Sequence, residues 1–501
     1  MPVAERVRTW WRRRPDVTAF RLGGFGIGYG ELAERAAAVA AGLRARGARR
    51  PLLALDVGNS PVFAELVVGA TAGDGACAVL DPAWPAARTA EVLDRLRPDL
   101  VVTSRPVATD APVLVVGEDG SYADWLDGHL GADPDRELAP GDPGSTFLIG
   151  FTSGTSALPK AFSRSRGTWR ASLVHAREVF GLGPDDHVLA PGPLSHGLGL
   201  YALVETLHEG ATFATLPKFD AAAARAALGP VTRLVVVPTM LRGLNRESAD
   251  GPARHPDVTA IVSSGAKLDP VTLARTRASF PNATVHEYYG ASELSFVTVR
   301  HIPPDADPDD DTDAVGAPFP GVEIEVRDEA GHPAPAGTPG AIHVRSPLVS
   351  SGYVWGDDGQ AFATDGEWAT VGDHGWLDEQ GALHLVGRAG AMVVTGGHNV
   401  YPGEVESALR RLDGVEEAVV LGVPDEYLGS ALVAVVSGPD VRRLTHGEVL
   451  RRCAEHLPRH KAPRRVYAVA EWPLTRSGKI ARVRIEEWID HGDDRLVQLP
   501  A

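Results

Sequence analysis

The stretch Phe151-Thr-Ser-Gly-Thr-Ser-Ala-Leu-Pro-Lys160 packs four hydroxyls, one glycine and a terminal lysine into ten residues. That composition makes a turn rich in hydrogen-bond donors, suited to wrapping phosphate oxygens. It is not a Walker A loop, because the G-x-x-x-x-G-K-[ST] order is absent. Four further clusters carry chemistry-bearing side chains: Tyr288-Tyr-Gly-Ala-Ser-Glu293; Trp368-Ala-Thr-Val-Gly-Asp373 with Gly387-Arg388; Gly396-Gly-His-Asn-Val-Tyr-Pro402; and Leu474-Thr-Arg-Ser-Gly-Lys479. Taken singly, each reads equally well as a turn or a surface group. Their joint presence calls for a fold that brings distant loops together.

The elements that must do so are legible as patterns. Short apolar runs such as Leu52–Val57, Leu234–Pro238 and Ala260–Ser264 alternate with amphipathic stretches from about Leu52 to about Ile342. Such runs read as strands buried on both faces with crossover helices between them. The donor-rich loop follows the strand candidate Phe147–Ile149, and the Tyr288–Glu293 cluster follows Val285–Glu287, the end of a strand at which open α/β sheets hold ligands. The last 110 or so residues differ. A helix over Tyr401–Leu412 aligns Val405, Leu409 and Leu412, strands follow at Val415–Val423 and Ala431–Ser437, and Thr445-His-Gly-Glu448 has capping-box spacing before a stripe of Leu450, Cys453 and Leu457. This is a small α+β unit. The fold class expected is therefore α/β, a large N-terminal region of mainly parallel sheets plus a smaller α+β C-terminal domain.

The chain has 501 residues, 44% hydrophobic and 23% charged, a globular composition with room for a large core. Its net charge of -16 argues against a surface devoted to nucleic acid or anionic lipid. Cys77 and Cys453 are far apart and in neither metal-ligand nor redox spacing, so a reducing cytosol fits and a cytoplasmic location is expected. Arg12-Arg-Arg14 is followed by Pro15-Asp16, which interrupts any signal-peptide core, and no run of 18 apolar residues marks a membrane span. The aspartate-rich segment Asp305–Asp313 fails the calcium-loop pattern, with Asp310 at the glycine position and Gly316 at the glutamate position, and reads as a solvated loop.

In this order and at these separations, the five motifs resemble those of the adenylate-forming superfamily, which includes acyl-CoA synthetases, nonribosomal adenylation domains and luciferases. The match spans roughly Tyr29 to Arg484. The resemblance implies a large AMP- and acyl-binding domain over residues 1–387, a hinge at 388–391, and a mobile C-terminal domain over 392–501. It implies ATP-dependent activation of a carboxylic acid as an acyl adenylate, with transfer of the acyl group to coenzyme A. Thr152, Ser153, Gly154, Thr155, Ser156 and Lys160 would hold phosphates, and Glu293 would bind Mg2+. Gly265, Tyr289, Gly290 and Ser292 would complete the nucleotide site, with Asp373 on the ribose hydroxyls and Arg388 beside it. Lys479 would be the catalytic cation, reaching the α-phosphate and the acid. Gly396, Gly397 and His398 would line a tunnel for the thiol arm once the small domain swings about Ala389–Ala391.

Two positions depart from the family pattern. Ser156-Ala157 stands where Thr-Gly is usual, and Gly390-Ala391 where an acidic pair follows Gly-Arg-x. The alternatives to a complete two-step ligase are therefore an enzyme that only forms the thioester from a ready-made adenylate, and a binding module without catalysis. The segment Pro193–Tyr201 resembles a wall of the acyl pocket. It carries no aspartate for an α-ammonium, so an acid without an α-amine is expected, with His196 as a gate beside its carboxylate. Arg459, Lys461, Arg464 and Arg465 form a basic cluster that fits the phosphates of coenzyme A or an acidic acyl carrier protein. Richness in Ala, Arg, Gly and Pro points to a high-GC genome and a natural-product pathway.

Overall fold

A computed structural model describes residues 3–152, 158–245, 254–306, 314–357, 359, 362–388, 392–395, 398–439, 441–455, 457–475 and 478–500. Two sheets build the large lobe. In the first, Leu52–Asp56, Ala76–Val79, Leu100–Thr103 and Thr146–Thr152 run parallel, and Lys160–Ser165 folds back antiparallel on Thr146–Thr152. Ala76–Val79 and Leu100–Thr103 are buried along their whole length, as their unbroken apolar runs require. The donor-rich segment lies in sequence between these two strands, and Thr152 is paired to Lys160 where the hairpin's described residues end.

In the second sheet, His187–Leu189, Arg233–Val236, Ala260–Ser264 and Thr284–Ala291 lie side by side in parallel register. From there the sheet changes character. Ser295–Ile302, Ala314–Pro318, Leu383–Arg388 and Asp373–Leu377 continue it as antiparallel neighbours. The architecture is thus the mixed α/β one expected, with an antiparallel half that the apolar runs alone did not reveal. Antiparallel strands with one wet face alternate, and this register sets Asp373 directly opposite Arg388.

The small lobe is a four-stranded sheet of Glu417–Asp425, Gly429–Ser437, Arg465–Val469 and Leu496–Gln498. The helices Pro402–Arg410, His446–Cys453 and Arg482–His491 pack on it. The capping box is present: Thr445 Oγ1 accepts from the Glu448 amide, and the Glu448 carboxylate accepts from the Thr445 amide at 2.8 Å. The buried stripe of that helix runs through Val449 and Cys453, while Leu450 is only half-buried, a rotation of one residue from the stripe expected. Among the described residues no helix is long and apolar enough to cross a membrane. Residues 307–313 of the aspartate-rich segment, and 389–391 of the hinge, lie outside the described residues.

Candidate active site

The loop of the small lobe docks at the C-terminal ends of two parallel strands, Arg233–Val236 and Ala260–Ser264. Gly265, directly after the strand Ala260–Ser264, has φ +90° and no side chain. Lys479 lies over it, so close that a methyl group on Gly265 would sit 2.9 Å from the lysine Cε and 3.4 Å from Nζ. The lysine loop is shaped by its own hydrogen bonds: Thr475 N to Lys479 O at 2.7 Å, Gly478 N to Thr475 O at 3.0 Å, and Lys479 N to Thr475 Oγ1 at 3.1 Å. It docks on the large lobe where Thr239 donates to the Gly478 carbonyl. Gly478, at φ +79°, allows that approach; a methyl there would lie 3.1 Å from Thr239 Oγ1. Solvent still reaches Lys479, yet protein atoms crowd its ammonium. Burial first, and the Arg388 charge second, lower its pKa.

Beside the lysine stands a second group of partners. Asp373 accepts from Tyr289 Oη at 2.6 Å on one oxygen and from Arg388 Nε at 2.9 Å on the other. Burial, and then the Asp373 charge, push the Tyr289 phenol up, so it remains a donor. A third group lies at the mouth of the donor-rich hairpin. Glu293 is buried and accepts from Tyr353 Oη at 2.6 Å. The same phenol is hydrogen-bonded by Thr152, and its pKa is raised by burial and by Glu293. Lys160 is buried with Nζ 5.7 Å from the centre of the Tyr353 ring. Arg164 donates to the carbonyls of Ser292 and Leu348, and Ser350 N donates to the Glu293 carbonyl at 2.7 Å, so the backbone around Glu293 is held from both sides. Burial lowers the Arg164 pKa to about 10, with Glu293 opposing, which leaves it a cation.

Gly265, Lys479, Arg388, Asp373 and Tyr289 therefore come together from separate segments, while Glu293, Thr152 and Lys160 gather around Tyr353 in another group that Gly290 and Ser292 join to Tyr289 along the chain. Gly290 sits on the strand Thr284–Ala291, where a methyl would meet the Ser295 carbonyl at 2.1 Å. His196 precedes the helix Gly197–Glu209, with Nε2 3.7 Å from Asp81 Oδ2 and without a hydrogen-bond partner among the described residues. His398 stacks on His460 in the small lobe, ring centres 4.2 Å apart. Ser153, Gly154, Thr155, Ser156, Ala157, Gly396 and Gly397 lie outside the described residues. Within the basic cluster, Lys461 is paired with Glu404 at 2.6 Å. Tyr353, Arg164 and Thr239 were not singled out from sequence. Tyr353 alone had a signal, a tyrosine between Gly352 and Trp355.

An aromatic cluster packs next to the strand that leads to Gly265. Ser264 is hydrogen-bonded to the Tyr288 side chain. Tyr288 packs on Phe296 with ring centres 4.7 Å apart, and Phe296 on Tyr201, of the wall segment, at 5.0 Å.

Residues 7–354 match the AMP-binding enzyme family, and residues 404–479 match the AMP-binding enzyme C-terminal domain. The chain is 36% identical over 458 residues to the uncharacterized acyl-CoA ligase YhfT of Bacillus subtilis (strain 168), covering 89% of this chain and 90% of that protein. It is 32% identical over 393 residues to the sulfoacetate–CoA ligase of Cupriavidus necator, covering 76% and 74%. The ATP-bound crystal structure of MatB from Rhodopseudomonas palustris superposes with a TM-score of 0.85 at 27% identity, over 98% of this chain and 99% of that one. The apo form of that protein superposes with a TM-score of 0.78. The family match and the relatives together define an ATP-dependent acid–thiol ligase. The chain belongs to the AMP-binding enzyme family of the adenylate-forming superfamily.

Proposed function

We propose that this enzyme joins a carboxylic acid to coenzyme A in two steps at the cleft between its lobes. In the first, a carboxylate oxygen attacks the α-phosphorus of ATP, and the bond to pyrophosphate breaks. In the second, a thiol sulfur attacks the acyl carbon of the mixed anhydride, and AMP leaves. The observation that carries this reading is the seating of Lys479 over Gly265, next to the Asp373–Arg388 pair. An ammonium held there lowers the cost of bringing two anions together and of the charge that builds on phosphorus.

Each neighbour then has work that its geometry supports. Asp373 exchanges its Tyr289 and Arg388 contacts for ribose hydroxyls, and Lys160 and Thr152 face the phosphates from the hairpin mouth. Glu293, a buried carboxylate with one oxygen on Tyr353, has the hard oxygen donors that Mg2+ prefers, and the ion when bound would neutralise phosphate charge. The thiol step needs another arrangement of the same lobes, with the small domain turned about 388–391 and His398 brought in.

The aromatic wall of Tyr201, Phe296 and Tyr288 supports a compact acid, aryl or short to medium acyl, over a long chain. Coenzyme A fits as the acceptor, since relatives aligned over most of the chain are named as CoA ligases. A bacterial natural-product pathway in the cytosol is the setting its composition supports.

The test is to incubate the protein with ATP, Mg2+, coenzyme A and benzoate, butyrate, octanoate or palmitate, and to identify products by mass. AMP, pyrophosphate and an acyl-CoA from the compact acids are expected. Palmitate turned over as well as butyrate would overturn the pocket reading. No pyrophosphate from any acid, with turnover of a synthetic acyl adenylate intact, would leave only the thioester step.

A further inference from the structure

The lobes meet through charged side chains whose arrangement the catalytic motifs do not account for. The helix Pro238–Leu244 of the large lobe presents Thr239 and Arg242, three residues apart and so on one face. Thr239 holds the Gly478 carbonyl beside Lys479. Arg242 spans both lobes: Nη1 lies 3.1 Å from Asp269 Oδ2 and Nη2 2.6 Å from Glu417 Oε2. Asp269 is itself fixed, because it caps the helix Pro270–Ser279 by accepting from Thr272 N at 2.7 Å. Glu417 opens the first strand of the small lobe and is buried. Its other oxygen accepts from Arg410 Nη1 at 2.7 Å and from Ala418 N at 3.0 Å. Burial alone would raise the Glu417 carboxyl, but Arg410 and Arg242 more than offset it and hold the pKa low. A second pair, Arg275–Glu416 at 2.8 Å, is exposed and weaker by solvent screening.

The strand that begins at Glu417 is tied to the lysine loop. Arg482, three residues beyond Lys479, donates to the Val420 carbonyl at 3.1 Å and pairs with Glu406, whose carboxylate accepts from Val420 N at 2.8 Å. A continuous path of fixed groups therefore runs from Asp269 through Arg242, Glu417 and Val420 to Arg482 and the loop of Lys479.

We infer that Arg242 and Glu417 are positioning residues for adenylate formation: their ion pair sets the orientation of the small lobe that presents Lys479 to the reacting phosphate. This rests on the two-step reading above. In the arrangement that forms the thioester the pair is parted, so that step does not depend on it. With Gly390-Ala391 at the joint, the polar contact that selects the first orientation lies on this interface instead.

The experiment compares wild type, Arg242→Ala, Glu417→Ala and the double variant in two assays. One is acid-dependent ATP–pyrophosphate exchange with the best acid of the panel; the other is thioester formation from the synthetic adenylate of that acid. Each single change should lower kcat of exchange by roughly tenfold to a hundredfold, the cost of misplacing a catalytic group by about an ångström. KM for acid and ATP should move less than about threefold, and the double variant should be no worse than the poorer single one. Thioester formation should stay within about twofold, which also shows that the variants are folded. Equal loss in both assays, no loss in exchange, or independent losses that multiply in the double variant would each overturn the inference. Failure of the wild type to exchange with any acid would instead overturn the two-step reading itself.

Discussion

At the scale of single residues, the role proposed for Lys479 needs its cation, and its surroundings work against that form. Crowding and the Arg388 charge lower its pKa, so the protonated fraction falls at a lower pH than for an ordinary lysine. Pyrophosphate exchange should accordingly decline on the alkaline side at a lower pH than an ordinary lysine would set, and a pH–rate profile checks it. Lys479→Ala should abolish that limb and cost roughly two to three orders of magnitude in exchange, with thioester formation from the adenylate retained. Lys479, Glu293 and Asp373 were singled out only through the joint order of five motifs, since each alone reads as a turn or a surface group. Tyr353, Thr239 and Arg242 were not, because their meaning lies in partners 60 to 239 residues away. A tyrosine or an arginine in an ordinary helix or strand carries no local mark of such a contact.

Among elements, the parallel strands were legible as short unbroken apolar runs, and Ala260–Ser264 has the bounds its sequence implied. The antiparallel half, beyond Ser295, was not, since its short strands are partly exposed and mix polar with apolar residues. The helix Gly197–Glu209 shows how an apolar pattern can conceal chemistry. Its Glu205 is buried, one oxygen lacks a hydrogen bond among the described residues, and burial pushes its pKa up to about 7, with Arg233 opposing and Glu209 adding. A carboxyl whose folded pKa is raised gives stability that is complete below about pH 4.5 and is lost as pH climbs through about 7. Glu205→Gln should thus raise the melting temperature by several degrees at pH 8 and barely at pH 4.5. Scanning calorimetry at the two values decides it; equal shifts at both would show that the charge is irrelevant.

The whole molecule has apolar clusters confined to the small lobe and others confined to the large one, with polar contacts between them. Heat should unfold the lobes in two transitions, and a non-reactive sulfamoyl analogue of the acyl adenylate, gripped from both sides, should raise the lower one toward the upper. A single transition indifferent to the analogue would contradict this. The two-lobe division was legible as a change of pattern near residue 390, whereas the mutual orientation of the lobes was not, because it depends on ion pairs that no periodicity encodes.

One contact flanks the joint between them. Tyr401 Oη lies 2.8 Å from His374 Nδ1, and its ring rests where a methyl on Gly387 would be 3.4 Å away. The small lobe is thus pinned at the end nearest the connecting chain, while Arg242 and Glu417 fasten a separate edge. On the two-step reading proposed above, releasing that edge would part the lobes like a jaw, with the anhydride kept at the throat while the bite reopens for the incoming sulfur.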